Sequence, residues 1–334
     1  MAAHVRVRAG LALVEAVRLI AISIALGLIA PVLGQDYPSR TIKLVVPFGP
    51  GGPTDVSARL VAQIAQSELG QPMLVENRPG AASAIGSKAV ANADPDGYTL
   101  LLGTSATLGV VPAVANNPGY DPIKSFTPIA KVSDSTLVLV VPKDFPASTL
   151  GEFVAYAKAH PGQLSYASAG AGNQTQLLAE LFKAKVGIDV IHVPYKSGAE
   201  MTSAIMSEQV QMAFPDISIL LPLIREGKVK ALAVTAATRH PRLPNIPTMI
   251  ESGIPDFVLS FWSGVVAPAG TPESVADKLN VAINKGLTSQ SVREALANIG
   301  AETHPGSAQD FAGFIATESK RWSSIAKLAN IKID

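Results

Sequence analysis

The sequence predicts an α/β protein of two domains. β-Branched apolar runs alternate with segments of helical period. Two of the predicted strands end in small-residue loops that feed directly into helices. The 334 residues also exceed the ~250–300 at which a single hydrophobic core tends to split.

The elements follow in order. Residues 41–48 form a β-branched strand, broken by the Gly- and Pro-rich stretch from Gly49 to Asp55. Val56, Leu60, Val61 and Ile64 then recur at helical spacing, and Gly70 suits a C-terminal cap. Residues 73–76 and 98–103 are further strands, the second followed by the small-residue turn Thr104-Ser105-Ala106. Residues 137–141 are a buried-type strand. A helix over 150–159 ends at His160-Pro161-Gly162, a strand over 164–168 leads into the loop 169–172, and Leu177, Leu178, Leu181 and Phe182 mark the next helix before Gly187. Strands over 189–193 and 210–214 lead to Pro194-Tyr195-Lys196 and Pro215-Asp216. A helix over 217–225, a strand over 230–235 and a Pro-rich stretch over 239–247 follow. Thr248 and Glu251 have capping-box spacing. Residues 261–267 form another apolar strand. Thr271-Pro272 reads as an N-cap followed by a first-turn proline. Two more helices complete the chain, with Ser307 and Asp310 in a capping pattern. Two domains with no long linker imply a chain that crosses between them on strands, with 137–141 and 261–267 as candidates.

Residues 1–34 stand apart. Arg6, Arg8 and Arg18 precede an apolar run of 12 residues from Leu19 to Ala30, closed by Pro31-Val32-Leu33-Gly34. This pattern is a secretory signal, cleaved near Gly34. The plain alternative, a membrane anchor, needs ~20 apolar residues, and Arg18 cuts the run short. The remaining 300 residues carry 24 basic and 25 acidic side chains. That near-balance excludes a polycation that coats nucleic acid and an acidic solvating tail. The chain is 48% hydrophobic and 16% charged, too apolar for a disordered one, and holds no cysteine. Disulfides, thiolate metal sites and thiol nucleophiles are thereby excluded.

Catalytic signals are near misses. Ala167-Ser168-Ala169-Gly170 follows a strand but lacks the first glycine of G-x-S-x-G. A serine hydrolase would need a histidine in reach of Ser168 or Ser105, and no spacing points to one. His160, His192, His240 and His304 form no pair at metal-ligand spacing, so structural or surface roles are expected. Gly49–Thr54 lacks the G-K-[ST] ending of a phosphate loop, and Gly170-Ala171-Gly172 lacks the third glycine of a dinucleotide fingerprint. What remains is the pair of loops, 51–55 and 168–176, each opening a helix. Such loops expose backbone N–H groups, and the helix N-terminus adds partial positive charge, which suits a carboxylate. The alternative is two ordinary βα loops, capped by Asp55 and Asn173.

Several ordered motifs resemble one family. They are Val45-Val-Pro-Phe-Gly-Pro-Gly-Gly-Pro-Thr-Asp55, Val75-Glu-Asn-Arg-Pro-Gly-Ala81, Asp94-Pro-Asp-Gly-Tyr-Thr-Leu100, Tyr166-Ala-Ser-Ala-Gly170, His192-Val-Pro-Tyr-Lys196, Leu243-Pro-Asn-Ile-Pro-Thr248 and Ala267-Pro-Ala-Gly-Thr-Pro272. The family is the Bug-type periplasmic solute-binding proteins of tripartite tricarboxylate transporters, and the likeness runs over 37–322. It implies a type II periplasmic-binding fold: two α/β domains, 35–139 with 259–334 and 140–258, joined by two crossing strands around a ligand cleft. It implies a periplasmic, monomeric, non-enzymatic protein without cofactor or metal. That protein captures a small organic carboxylate, expected to be a dicarboxylate, and delivers it to membrane permease subunits.

Carried over by motif, the ligand site comprises Phe48, Pro50, Gly51, Gly52, Thr54 and Asp55 from the first loop. The second loop gives Ser168, Ala169, Gly170 and Gln176. Ser105, Ala106, Pro194, Tyr195 and Asp216 line the cleft. Phe48 and Tyr195 would wall an acyl chain or ring, against plain core packing. Lys196 and Arg78 are candidate ligand cations, though a solvated charge is the simpler reading. Asp216 would repel an anion and is expected to cap the following helix, bind water or meet an amine. The family often places His where this chain has Gln176; glutamine keeps a donor but carries no charge. A ligand sensor docking on a signalling partner, and a secreted serine hydrolase, are the alternative functions.

Overall fold

β1 (Ile42–Val46) pairs in parallel with β2 (Met73–Asn77) on one side and β3 (Thr99–Thr104) on the other. The apolar run that predicts it is buried on both faces, as a central parallel strand requires. The computed structural model describes residues 37–333; the expected signal segment 1–34 lies outside them. From Arg40 onward the chain is one compact unit containing two sheets.

The first sheet has the order β11-β4-β10-β3-β1-β2, with β4 (Phe126–Thr136), β10 (Ser260–Pro268) and β11 (Ala301–Thr303) antiparallel. The second has the order β7-β6-β8-β5-β9, built from β5 (Val138–Pro142), β6 (Leu164–Ser168), β7 (Val190–Pro194), β8 (Met212–Ala213) and β9 (Val229–Val234).

Helices cover both sheets. α1 (Pro53–Leu69), α2 (Ala84–Ala91) and the single turn α3 (Val111–Val114) follow β1, β2 and β3. α4 (Leu150–Ala159), α5 (Gln174–Val186), α6 (Gly198–Met206) and α7 (Ile217–Arg225) belong with the second sheet. α8 (Glu273–Leu287), α9 (Gln290–Asn298) and α10 (Ala308–Leu328) finish the chain. No helix among the described residues is long and apolar enough to cross a membrane.

The chain passes between the sheets at Leu137, a single residue between β4 and β5, and returns between β9 and β10. The expected crossing 137–141 begins at the first passage and continues as β5, whereas 261–267 lies inside β10. One buried threonine ties the passages together. Thr235 donates its N–H to the Leu137 carbonyl (2.9 Å) and its hydroxyl to the Leu259 carbonyl (2.6 Å). Its Oγ1 accepts from Leu137 N (3.2 Å) and its carbonyl from Leu259 N (3.0 Å).

α10 belongs to both cores. Phe311 and Ile315 pack with Trp262, Val45 and Leu101 of the first sheet, while Trp322, Ile325 and Ala326 join Leu139, Tyr166, Phe182 and Phe214 of the second. Each fully buried side chain of this size contributes about 1.5–3 kcal/mol.

Several local expectations need correction. Thr248 and Glu251 make both reciprocal capping-box bonds, at 2.8 and 3.0 Å, but only a turn follows. Thr271 donates its hydroxyl backward to the Pro268 carbonyl (2.8 Å), and Pro272 is the cap residue of α8. Ser307 and Asp310 do form a working capping box. β4 carries Pro128, Lys131 and Asp134 within 11 residues and shows no strand-like alternation, so sequence reading passes over it.

Candidate functional site

The first loop is organised by Asp55. Its carboxylate accepts from Gly51 N (3.0 Å), Asn77 Nδ2 (3.0 Å) and Arg59 Nε (2.9 Å) and Nη2 (3.3 Å). Asn77 also reaches the Phe48 carbonyl (3.1 Å), so β2 holds the loop at both ends. Gly51 has φ +85°, a conformation costly for any side chain. α1 starts at Pro53 on the cap residue Gly52, with no side-chain cap. Its first-turn N–H groups have no partner inside the helix. Asp55 is therefore a scaffold for the loop, not one of its exposed donors. Phe48 is half-buried and Pro50 exposed.

Burial pushes the Asp55 pKa up, but the bonds from Arg59, Gly51 and Asn77 outweigh it and hold the carboxylate below its usual value of 3.8. A depressed carboxylate stabilises the fold above its unfolded pKa and loses that contribution as pH falls through the folded one. Asp55→Asn is expected to cost about 1–3 kcal/mol at neutral pH in urea unfolding. The gap to wild type should shrink on acidification; a gap independent of pH would exclude charge as its origin.

The second loop is also wrapped in its own side chains. Ala169 N donates to Thr175 Oγ1 (2.9 Å), Gly170 N to Ser168 Oγ (3.3 Å) and Gly172 N to Gln176 Oε1 (2.7 Å). Asn173 caps α5 by accepting from Thr175 N (3.0 Å), as expected. Gly170 has φ +126° and Gly172 φ +70°.

Two residues outside the predicted set bond to members of it. Gln174, 1% exposed, accepts from Ser105 Oγ (2.5 Å) and donates to the Ser260 carbonyl (2.9 Å), joining the second loop to the ends of β3 and β10. His192 lies with Nε2 2.7 Å from Ser168 Oγ and Nδ1 3.2 Å from Gln176 Nε2. A histidine does lie in reach of Ser168, although no spacing in the sequence points to it. β6 and β7 are parallel neighbours with Tyr166 opposite His192 and Ser168 opposite Pro194, so Ser168 meets His192 across the diagonal. Burial lowers the His192 pKa; Glu180 raises it and Lys183 lowers it further.

The remaining predicted residues separate. Ser105 is fully buried, and Ala106 opens a single π-turn over Ala106–Val110. Such turns recur at functional sites. Tyr195 N donates to the Ser168 carbonyl (2.9 Å), and the Tyr195 ring packs against the second core. Pro194, the last residue of β7, is exposed. Asp216 caps α7 by accepting from Ser218 N (2.8 Å), the role expected of it. It is half-buried, and burial raises its pKa against hydrogen bonds from Ser135 and Ser218. Arg78 is paired with Glu76, and Lys196 is exposed.

Asp216 does share a space with the first turn of α1. A cavity of about 30 Å³ is lined by Pro53, Thr54, Ser57, Asp216, Phe261 and Trp262. Ligand pockets run to about 300–1,000 Å³, so this space is too small for an organic acid. A roomier cavity of about 320 Å³ opens beside Thr235, among Lys131, Asp134, Arg239, His304 and Arg321. It touches neither loop.

Similarity to known proteins bears on the family and the fold. The sequence model described as "Tripartite tricarboxylate transporter family receptor" matches residues 57–331. Protein BugT of Bordetella pertussis is 38% identical over 308 residues, covering 92% of this chain and 94% of its own. An R. palustris protein solved with adipate superposes with a TM-score of 0.78 at 35% identity, over 89% of this chain and 99% of its own. MatC from Rhodopseudomonas palustris, with bound malate, gives 0.75 at 36% identity, over 86% and 99%.

Proposed function

This chain belongs to the tripartite tricarboxylate transporter receptor family, and on that premise we propose that it captures a small dicarboxylate in the periplasm and passes it to membrane permease subunits. Its lobes are 35–139 with 259–334, and 140–258. The ligand lies between them, held by backbone N–H groups of the loops 48–55 and 168–176, and the protein works as a monomer without catalysis. The observation that carries this is the likeness, over 89% and 86% of the chain, to relatives solved with adipate and malate. Both are aliphatic dicarboxylates.

Geometry adds two conditions. Because the space beside α1 is about 30 Å³, the lobes part to admit the ligand. The tie at Thr235, where both passages meet, is the natural hinge. Because Ala169, Gly170 and Gly172 give their N–H groups to Thr175, Ser168 and Gln176, these side chains yield the donors on binding. The exchange is favourable. A neutral hydrogen bond is worth about 0.5–1.5 kcal/mol net, and one to a charged group about 1.5–3. With 24 basic and 25 acidic residues after the export segment, attraction is local, so affinity should depend only weakly on salt.

A thermal-shift screen against C4–C6 dicarboxylates, citrate, aromatic acids and acidic amino acids tests the reading. A ligand at 100 times its Kd adds about 2.7 kcal/mol, or about 5–10 °C. Adipate- or malate-like acids should lead the series. No shift with any acid would sink the proposal.

The Ser168–His192 contact favours a hydrolase more than the sequence did. A serine nucleophile, however, needs an imidazole that accepts its proton and an acid on the far side of that ring. Gln176 occupies the far side.

A further inference from the structure

We propose that Gln176 is a positioning residue that fixes the proton of His192 on Nε2, and so commits Ser168 as an acceptor and denies it a general base. The inference concerns the second loop of the proposed ligand site but does not depend on any ligand.

The two ends of the Gln176 amide are distinguished by their neighbours. Gly172 N, which can only donate, lies 2.7 Å from Oε1. The –NH2 group therefore faces the other way, where Nε2 is 3.2 Å from His192 Nδ1. The neighbouring Tyr166 gives its own hydroxyl proton to Glu180 Oε1 (2.5 Å).

The rest of the chain of bonds follows. Nδ1 accepts, so the neutral ring carries its proton on Nε2, 2.7 Å from Ser168 Oγ. Ser168 Oγ accepts that proton's bond and the one from Gly170 N (3.3 Å), and its own proton goes to the Gly170 carbonyl (3.1 Å). From the imidazole to the Gly170 carbonyl each donor meets an acceptor. The ring is stacked on Tyr166 at 4.8 Å and 22°, which prevents it from turning over. Glu180 and Lys183, themselves paired at 2.9 Å, are the charged groups that act on it. In a Ser–His–acid triad the same two contacts run the opposite way: Nδ1–H donates to a carboxylate and Nε2 accepts from serine. One side chain, Gln176, separates the two states.

The test is ¹⁵N NMR of His192 in the ligand-free protein near neutral pH, with the signal assigned through His192→Asn. Wild type should show Nε2 protonated and Nδ1 bare. Gln176→Glu keeps an oxygen for Gly172 N and offers a carboxylate to the ring, so Nδ1 should gain a proton. Gln176→Leu removes the donor, so both tautomers should appear. A fluorophosphonate should leave wild-type Ser168 unlabelled. Wild type protonated on Nδ1, the same Nε2–H signal in all three proteins, or labelled wild-type Ser168 would each overturn the assignment. The measurement uses no ligand, so its failure and that of the dicarboxylate screen are read separately.

Discussion

Glu318→Ala should lower stability by about 3–5 kcal/mol, with loss of cooperativity between the two cores. Glu318 is 4% exposed and lies on α10. Its Oε2 accepts from Trp262 Nε1 (3.1 Å) and from Trp322 Nε1 (3.0 Å), and its Oε1 pairs with Arg321 (3.3 Å). Both indoles are fully buried, Trp262 in the core of the first sheet and Trp322 in that of the second. Removing the carboxylate orphans two buried N–H groups at about 1–3 kcal/mol each and leaves a cavity besides. Arg321 is about a third exposed and adds little. In calorimetry this is a fall of about 6–15 °C. Glu318→Gln keeps an oxygen for the indoles and should recover most of the loss. Equal losses for Ala and Gln would place the effect in charge and not in the indole bonds.

Gly170→Val should abolish dicarboxylate binding, with affinity falling at least ~100-fold, while the protein stays folded. Gly170 has φ +126°, a region closed to side chains and worst for a β-branched one. The new Cβ would lie 3.7 Å from the Tyr195 carbonyl, an ordinary contact, so the penalty is backbone strain and not a clash. The strain is relieved by moving the loop that carries Ser168 Oγ, Gly170 N and Gly170 O, and Asn173 N, which donates to Gly170 O (3.2 Å), moves with it. A strained position of this kind costs of order 1–3 kcal/mol, less than a domain's stability. Isothermal titration with the best acid of the screen decides the matter. Unchanged affinity would remove the second loop from the ligand site.

Much of the fold is legible in the chain because its signals are local. β1, β3, β6 and β7 follow from β-branched runs, α1 and α5 from helical spacing closed by Gly70 and Gly187, both left-handed as C-caps require. β4 is hidden. Its pairing is set by β10, far along the chain, with contacts such as Ser260 Oγ to Asp134 and Ser133 Oγ to Ser263 Oγ spanning 126 and 130 residues. The Thr248–Glu251 pair shows the reverse failure, a local signal fully satisfied in a turn where no helix follows. Within the site, the motif resemblance points to the loops but not to what each residue does. Asp55 supports its loop, Asp216 caps a helix, and Gln174 and His192 enter only through parallel strands and a β3 loop remote in sequence.

By itself the sequence determined the strand–loop–helix units, the two glycine-bearing loops, the family and the absence of any thiol chemistry. These depend on torsional preference, spacing and residue type, all of which act within a few residues. Only the tertiary structure decided that the loops hold their own N–H groups, that one threonine ties both passages between the sheets, and that a glutamine faces a histidine whose other nitrogen meets a serine. A hydrogen bond depends on which atom lies within about 3 Å and which end it presents. That is settled when distant segments pack, and nothing in their order along the chain fixes it beforehand.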